Sequence, residues 1–104
     1  MSSKCKICGL SNIELLVASH IKPWSKSIDE EKLDCNNGFL LCPNHDALFD
    51  GGFISFDDEG NILISKRLTE EDLKLLHLDK NIKIDISEKN KKYLEYHREF
   101  VFKR

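Results

Sequence analysis

A chain of 104 residues with 40% hydrophobic and 33% charged side chains has the composition of one small folded domain and not of a disordered segment. Its net charge of -2 lacks the positive excess typical of nucleic-acid-binding domains, although a bound cation would change the local field. No stretch resembles a signal peptide or is long enough to cross a membrane, which predicts a cytoplasmic protein with reduced thiols.

The first half of the chain is predicted to contain a knuckle, a strand, a polar loop, a second strand and a helix, over residues 1–12, 13–21, 22–37, 38–42 and 43–49. Gly9 supplies the tight turn of the knuckle, and Pro23 ends the first strand. The loop has a helical turn around residues 29–33. Pro43 suits the first position of the helix, which stops at two glycines.

The second half is predicted to contain a hairpin and helices, with strands at 53–56, 61–65 and 82–86 and helices that begin after Thr69 and Ser87. The first of these helices carries Leu73, Leu76 and also Leu75. One face of the second carries Tyr93, Leu94, His97 and Val101, and His77 and His97 are interpreted as packing or surface residues. Together the elements predict an α+β fold.

Two short clasps place cysteine and histidine at the spacing of metal ligands. Cys5 and Cys8 are separated by two residues, as are Cys42 and His45. Three thiolates and an imidazole form the ligand set of a closed tetrahedral zinc site, and in a reducing compartment this interpretation is preferred over disulfides. Cys35 fits neither clasp and is predicted to be a small, half-buried thiol.

Other polar residues lie beside the clasps in the sequence. His20 ends the first predicted strand, Asn37 precedes the second, and Asp46 and Asp50 lie on the helix that follows. Residues four apart on a helix face the same way, so the two carboxylates form a pair suited to Mg²⁺ or Mn²⁺. A neutral imidazole can act as a general base near neutral pH. The pattern therefore indicates a second, catalytic site near the zinc knot.

The chain resembles the HNH endonuclease family in several segments. These are Ala18-Ser-His-Ile-Lys-Pro-Trp24, Asn37-Gly-Phe-Leu-Leu-Cys-Pro-Asn-His-Asp-Ala-Leu-Phe-Asp50 and Gly52-Phe-Ile-Ser-Phe56, and more weakly the C-terminal helix. They are most similar to the restriction-type branch. The resemblance implies a ββα-metal (His-Me finger) core over residues 1–52, with an added hairpin and C-terminal helices over 53–104, all in a single nuclease domain. It also implies metal-dependent hydrolysis of DNA phosphodiester bonds.

By this resemblance His20 is the general base, and Asn37, through a side-chain or backbone carbonyl, accepts the other ring proton of His20. Asp46 and Asp50 hold the catalytic divalent ion, while Cys5, Cys8, Cys42 and His45 hold structural zinc. Two positions depart from the pattern. Many relatives carry Asp or His where this chain has Ser19, a poor ligand. Many relatives carry His where this chain has Asp46. Either His45 is the last histidine of the motif, or His45 binds zinc and Asp46 takes the catalytic position. We prefer the second assignment.

Contacts with DNA are expected from basic side chains near the loop and on the last helix, which are Lys22, Lys26, Lys32 and Arg98. Trp24 is interpreted as a core or wall residue in preference to a base-stacking platform, and Asn37 is preferred over its neighbour Asn36. No segment resembles a sequence-reading module. The chain is therefore expected to be nonspecific alone, to work as a homodimer, or to be the catalytic part of a larger restriction or defence system. The alternative function is a non-catalytic zinc-knuckle module that binds nucleic acid or protein, and a toxin-type nuclease would share the chemistry but differ in partner.

Overall fold

The computed structural model describes residues 3–104, and it contains four strands and four α-helices over this range. The strands are β1 (Val17–His20), β2 (Gly38–Leu41), β3 (Ile54–Phe56) and β4 (Ile62–Ile64). The helices are α1 (Asp29–Leu33), α2 (Pro43–Asp50), α3 (Glu70–Leu75) and α4 (Glu88–Tyr96). The α+β class predicted from the sequence is confirmed. No helix in the described range has both the length and the apolar composition of a membrane span.

The core of the fold is an antiparallel hairpin covered by one helix. β1 pairs with β2, with Val17 opposite Leu41 and His20 opposite Gly38, and α2 packs against both strands. Because side chains alternate across a strand, Phe39 and Leu41 turn toward α2 and are buried. The ring of Phe39 lies 5.8 Å from that of Phe49 on α2. This contact fixes the helix over the strands, which is the ββα arrangement expected from the sequence.

Two predicted strands differ most from the structure. The first begins at Val17 and not at residue 13, because the side chain of Asn12 accepts a hydrogen bond from the backbone of Glu14 and caps a 3₁₀ turn over Ile13–Leu15. The predicted strand over 82–86 is wrong. Its backbone makes one isolated bridge, between Asn61 and Lys83. The alternating isoleucines there reflect one-sided burial of an extended segment and not a ladder.

The hairpin and both capped helices agree with the sequence prediction. β3 pairs with β4, while Thr69 and Ser87 cap α3 and α4 by accepting hydrogen bonds from the third residue of each helix. Leu73 and Leu76 are half-buried, but Leu75 is exposed. Leu75 therefore lies outside the apolar face.

His97 fastens the C-terminal segment to the end of α2. The ring stacks on Phe49 at 4.0 Å, and its Nε2–H donates to the carbonyl of Phe49 at 2.8 Å. Nδ1 consequently accepts from the hydroxyl of Ser55, also at 2.8 Å. Burial lowers the pKa of His97 to about 4, so the imidazole is neutral and satisfied at both nitrogens. Of the two roles predicted for His97, packing or surface, the structure shows packing.

Candidate active site and metal cluster

The two clasps meet in space and form one compact cluster. The ligand atoms of Cys5, Cys8, Cys42 and His45 all lie within 4.8 Å of one another. Nδ1 of His45 lies 3.3 Å from Sγ of Cys42 and 3.7 Å from Sγ of Cys5. A tetrahedral ion with bonds of about 2.3 Å to sulfur and about 2.05 Å to nitrogen would separate these atoms by about 3.6 Å. The cluster therefore fits zinc, with Nδ1 as the histidine ligand atom.

The protonation chemistry of the cluster also suits a cation. Although Cys8 is exposed as a residue, partial desolvation of its sulfur and the neighbouring thiols of the cluster raise its pKa to about 11, which keeps the thiol neutral when no cation is near. Burial acts in the same direction on Cys5, but backbone N–H groups, foremost that of Cys8, outweigh it and lower the pKa of that thiol. Burial lowers the pKa of His45, so its imidazole is neutral, as a ligand must be. A bound cation would let the thiols ionise together.

Two parts of the cluster differ from what spacing alone suggests. Nε2 of His45 is enclosed and has no hydrogen-bond partner in the described structure. Cys8 is exposed, whereas Cys5, Cys42 and His45 are buried. Cys35 lies outside the cluster and is exposed, so the prediction of a half-buried thiol is wrong.

His20 stands at the end of β1, and the backbone of α1 fixes its ring. Nε2 lies 3.2 Å from the carbonyl oxygen of Lys32. A carbonyl can only accept, so Nε2 carries the proton and Nδ1 keeps its lone pair. The ring edge also meets Trp24, with the two centroids 5.3 Å apart at 82°. One tautomer and one orientation are thereby selected, as a general base requires.

Asn37 makes no hydrogen bond to His20 in the described structure, and the expectation that its carbonyl takes the ring proton is wrong, because the Lys32 carbonyl takes it. Its side chain is buried and fastens the loop that follows the base. Oδ1 accepts from the backbone N–H of Lys22 at 2.8 Å, and Nδ2 donates to the carbonyl of Glu31 at 3.1 Å. Glu31 directly precedes Lys32, whose carbonyl binds the histidine. Asn37 therefore positions His20 through the backbone on both sides of the loop.

The neighbouring asparagine does something else. The side chain of Asn36 donates to Asp34 at 3.0 Å. The backbone carbonyl of Asn36 accepts from the side chain of Asn90 on α4 at 2.7 Å. The hydroxyl of Tyr93 also donates to Asp34, at 2.6 Å. These contacts brace the outside of the loop against α4. The preference for Asn37 over Asn36 as the site asparagine stays a prediction.

The carboxylate pair of α2 faces His20 across one cleft. A cavity of about 460 Å³ is lined by residues of β1, the loop and α2, which are Ala18, Ser19, His20, Pro23, Trp24, Ser25, Asp46 and Asp50. Asp46 is half-buried and Asp50 is exposed. Trp24 is 55% exposed and forms part of the wall, so it is not a core residue.

Ser19 occupies the floor of the same cleft. Ser19 is 4% exposed, and its hydroxyl has no hydrogen-bond partner among the described residues. Within residues 3–104, the Cys5–Cys8–Cys42–His45 cluster is the only set of three or more acidic, cysteine or histidine side chains whose ligand atoms converge. A cation bound at Asp46 and Asp50 would therefore have few protein ligands, with water supplying the others.

Three of the four basic residues expected to contact DNA are engaged by protein groups. Nζ of Lys22 donates to both carboxylate oxygens of Glu31, at 2.8 and 3.0 Å, and this pairing lowers the pKa of Glu31. Lys32 lies over the ring of Trp24 at 4.8 Å. Arg98 donates to the carbonyl of Phe56 and to Asp58, on the hairpin. Lys26 is exposed beside the cleft.

The most important feature that the sequence did not reveal is the carbonyl of Lys32. Every residue has a backbone carbonyl, so no pattern of side chains marks the one that orients a histidine. The only available signal was the predicted helical turn at 29–33, which directs this carbonyl toward β1.

A hairpin and helix with a histidine at one strand end, a carboxylate pair on the helix and a cysteine-histidine cluster at the start of the helix is the arrangement of a ββα-metal fold. The family model described as HNH endonuclease matches residues 5–57, just over half of the chain. The chain belongs to the HNH endonuclease family.

One solved structure extends the fold comparison beyond the matched half. The modification-dependent TagI restriction endonuclease superposes with a TM-score of 0.55 at 18% identity, over 91% of this chain. The chain spans 32% of the length of that protein. At this identity the likeness concerns the fold. No curated protein matches the sequence.

Proposed function

We propose that this chain is a metal-dependent endonuclease that hydrolyses DNA phosphodiester bonds. The observation that carries the proposal is the cleft in which His20, with one ring nitrogen held by a backbone carbonyl, faces Asp46 and Asp50. Hydrolysis needs a base for the attacking water and stabilisation of charge on the phosphate and the leaving oxygen.

In this proposal each residue has one task. Nδ1 of His20 takes a proton from the attacking water, while the Lys32 carbonyl fixes the ring. Asn37 keeps the loop, and thereby the base, in place. Asp46 and Asp50 would hold Mg²⁺ or Mn²⁺, which supplies Lewis-acid stabilisation of the phosphate when bound. Zinc on Cys5, Cys8, Cys42 and His45 would be structural and would join the N-terminal knuckle to α2.

The substrate would be held mainly through its phosphates, and Lys26 is the basic residue best placed for such a contact. Lys22, Lys32 and Arg98 could join only by giving up present contacts. A role in a restriction or defence system, with a second copy or a specificity partner, is part of the same proposal. The structural neighbour is a restriction endonuclease, which supports this role, and the thiol-rich cluster suits the reducing cytoplasm.

The test is nicking of supercoiled plasmid by zinc-loaded protein with Mg²⁺, with Mn²⁺ or without added divalent ion. We expect ion-dependent nicking that His20→Ala reduces by about 10²-fold or more. His77→Asn is the matched control, since His77 is exposed, does not line the cleft and has a left-handed backbone (φ 55°) that asparagine tolerates. Equal nicking by wild type and His20→Ala would reject the assignment of the base.

A non-catalytic binding module is the second candidate, and a specific observation favours it. The cleft offers Ser19 where a third ligand would strengthen cation binding, and the chain is acidic overall. In that case wild type and His20→Ala would be equally inert toward plasmid yet bind nucleic acid equally well.

A further inference from the structure

A second pocket adjoins the candidate active cleft. It has a volume of about 420 Å³ and is lined by Pro23, Ser25, Lys26, Tyr96, Phe100 and Val101. Pro23 and Ser25 line the cleft of His20 and Asp46 as well. The two cavities therefore share a wall, and a strand whose phosphate lies in the first would pass directly beside the second.

The pocket presents an open aromatic ring on a firm support. Phe100 is 66% exposed, and its ring lies 4.7 Å from that of Tyr96 at an angle of 41°. Tyr96 is in turn backed by the ammonium of Lys22, 5.0 Å from its ring centroid. Lys22 is held by Glu31. The Tyr96 ring is thus confined on one side, and Phe100 keeps most of its surface open to solvent.

The charge of the pocket is positive. Lys26 is the only charged residue in its lining, and no carboxylate of residues 3–104 lies within ion-pair distance of its ammonium. A large exposed phenylalanine next to an unpaired cation is unfavourable for an isolated surface, but it matches a ligand with a flat ring and an anion. A nucleobase and its phosphate have this chemistry, since every base offers a π-face for stacking on an aromatic side chain.

We propose that this pocket receives an unpaired nucleobase next to the scissile phosphate, so that the preferred substrate is single-stranded or locally unpaired DNA. The base stacks on Phe100, and Lys26 contacts a flanking phosphate. A base inside an intact duplex cannot reach the ring without leaving its stack, and the lost stacking and pairing disfavour that step. This inference rests on the proposed nuclease function for the location of the phosphate, but base binding is measured without catalysis.

The test is binding of three fluorescein-labelled oligonucleotides of one sequence: a duplex, the same duplex with a three-nucleotide bulge, and the single strand. Fluorescence anisotropy without added divalent ion reports the affinities while zinc stays bound. Quenching of Trp24, the sole tryptophan, reports occupancy of the adjoining cleft, which Trp24 lines together with Pro23 and Ser25. We expect the bulged and single-stranded forms to bind at least about fivefold more tightly than the duplex, the low end of one stacked base.

The variants separate stacking from other effects. Phe100→Ala should weaken binding of the unpaired forms by about 5- to 100-fold and leave the duplex unchanged, whereas Phe100→Trp should restore the preference. Lys26→Ala should weaken all three forms alike. Leu75→Ala is the matched control, because Leu75 is 71% exposed and lies on α3, away from this pocket. Circular dichroism and zinc content verify that each variant is folded.

Two results would overturn the proposal: wild type with no preference for unpaired DNA, or Phe100→Ala that binds all three forms as wild type does. If Phe100→Ala instead converts a dimer to a monomer in light scattering and leaves DNA binding unchanged, the surface joins two copies of the chain and the proposal is wrong. Plasmid nicking distinguishes the two hypotheses. Nicking without a preference for unpaired DNA rejects the pocket alone, while base-dependent binding without any nicking rejects the nuclease alone.

Discussion

The neutral His97 enclosed beneath α2 should make the stability of this protein depend on pH. Its folded-state pKa is lowered to about 4 by burial, against an ordinary value of 6.5 that the unfolded chain would show. Between these values the unfolded state binds more protons than the folded state. Stability from this residue is therefore fully present above pH 6.5 and is lost as the pH falls toward 4.

The size of the effect follows from the two pKa values. A difference of about 2.5 units corresponds to about 3.4 kcal/mol in the limit, and about 2 kcal/mol of it is lost between pH 7.5 and 5.0. This loss is a large fraction of the free energy of unfolding of a typical domain, which is about 5–15 kcal/mol. Protonation would also remove the acceptor for the Ser55 hydroxyl, since both ring nitrogens would then carry protons.

The assay is urea unfolding followed by Trp24 fluorescence at pH 7.5, 6.0 and 5.0, with zinc present throughout. His97→Gln keeps one donor and one acceptor but does not titrate. We expect it to cost about 1–3 kcal/mol at pH 7.5, where the stack on Phe49 is lost, and to have a smaller pH dependence than wild type. Protonation of the zinc ligands at low pH should affect wild type and His97→Gln equally. His77→Gln, at an exposed site, serves as control. Identical losses for wild type and His97→Gln between pH 7.5 and 5.0 would refute the argument.

The remaining predictions concern backbone, metal and site. Gly52→Ala should cost about 2–4 kcal/mol in chemical unfolding, because φ is positive and the added carbon would overlap the C-terminal backbone, whereas Gly9→Ala, with similar φ but open space, should cost only about 1–2. Cys42→Ser should abolish tight zinc binding in a competition assay and unfold most of the protein, because the free energy of zinc binding supplies much of the folding free energy of small zinc domains. Cys35→Ser, at an exposed position outside the cluster, should change neither zinc binding nor folding. Ser19→Asp should lower the Mg²⁺ concentration for half-maximal nicking by about tenfold, since it adds a carboxylate where a hydroxyl now lacks a partner, and an unchanged requirement would show that the side chain does not face the ion.

Local spacing was enough to predict those parts of the site that are close in sequence. Cys5 and Cys8 are close in sequence, and so are Cys42 and His45. A zinc site needs four ligands, so the two pairs were expected to meet, and they do. Asp46 and Asp50 share a helix face because of the helical repeat alone. In each case a short-range rule fixes the geometry.

What could not be predicted depends on distant backbone groups. The Lys32 carbonyl orients His20, and the Phe49 carbonyl binds His97 from 48 residues away. Side-chain patterns do not mark a particular carbonyl, so Asn37 was assigned the contact that Lys32 makes. The segment over 82–86 misled for a related reason. Alternating burial is shared by any extended chain lying on a surface, and only the paths of the hydrogen bonds distinguish a strand.

The same contacts explain how so small a chain can hold the candidate site in one geometry. α2 is anchored at its start by Cys42 and His45 in the metal cluster and at its end by the Phe49 carbonyl on His97. Asp46 and Asp50 project from the helix between and beside these anchors, so their distance from β1 depends on both. Loosening either anchor should therefore weaken cation-dependent nicking before the chain unfolds. Loss of nicking only together with global unfolding would mean that the anchors stabilise the fold without positioning the carboxylates.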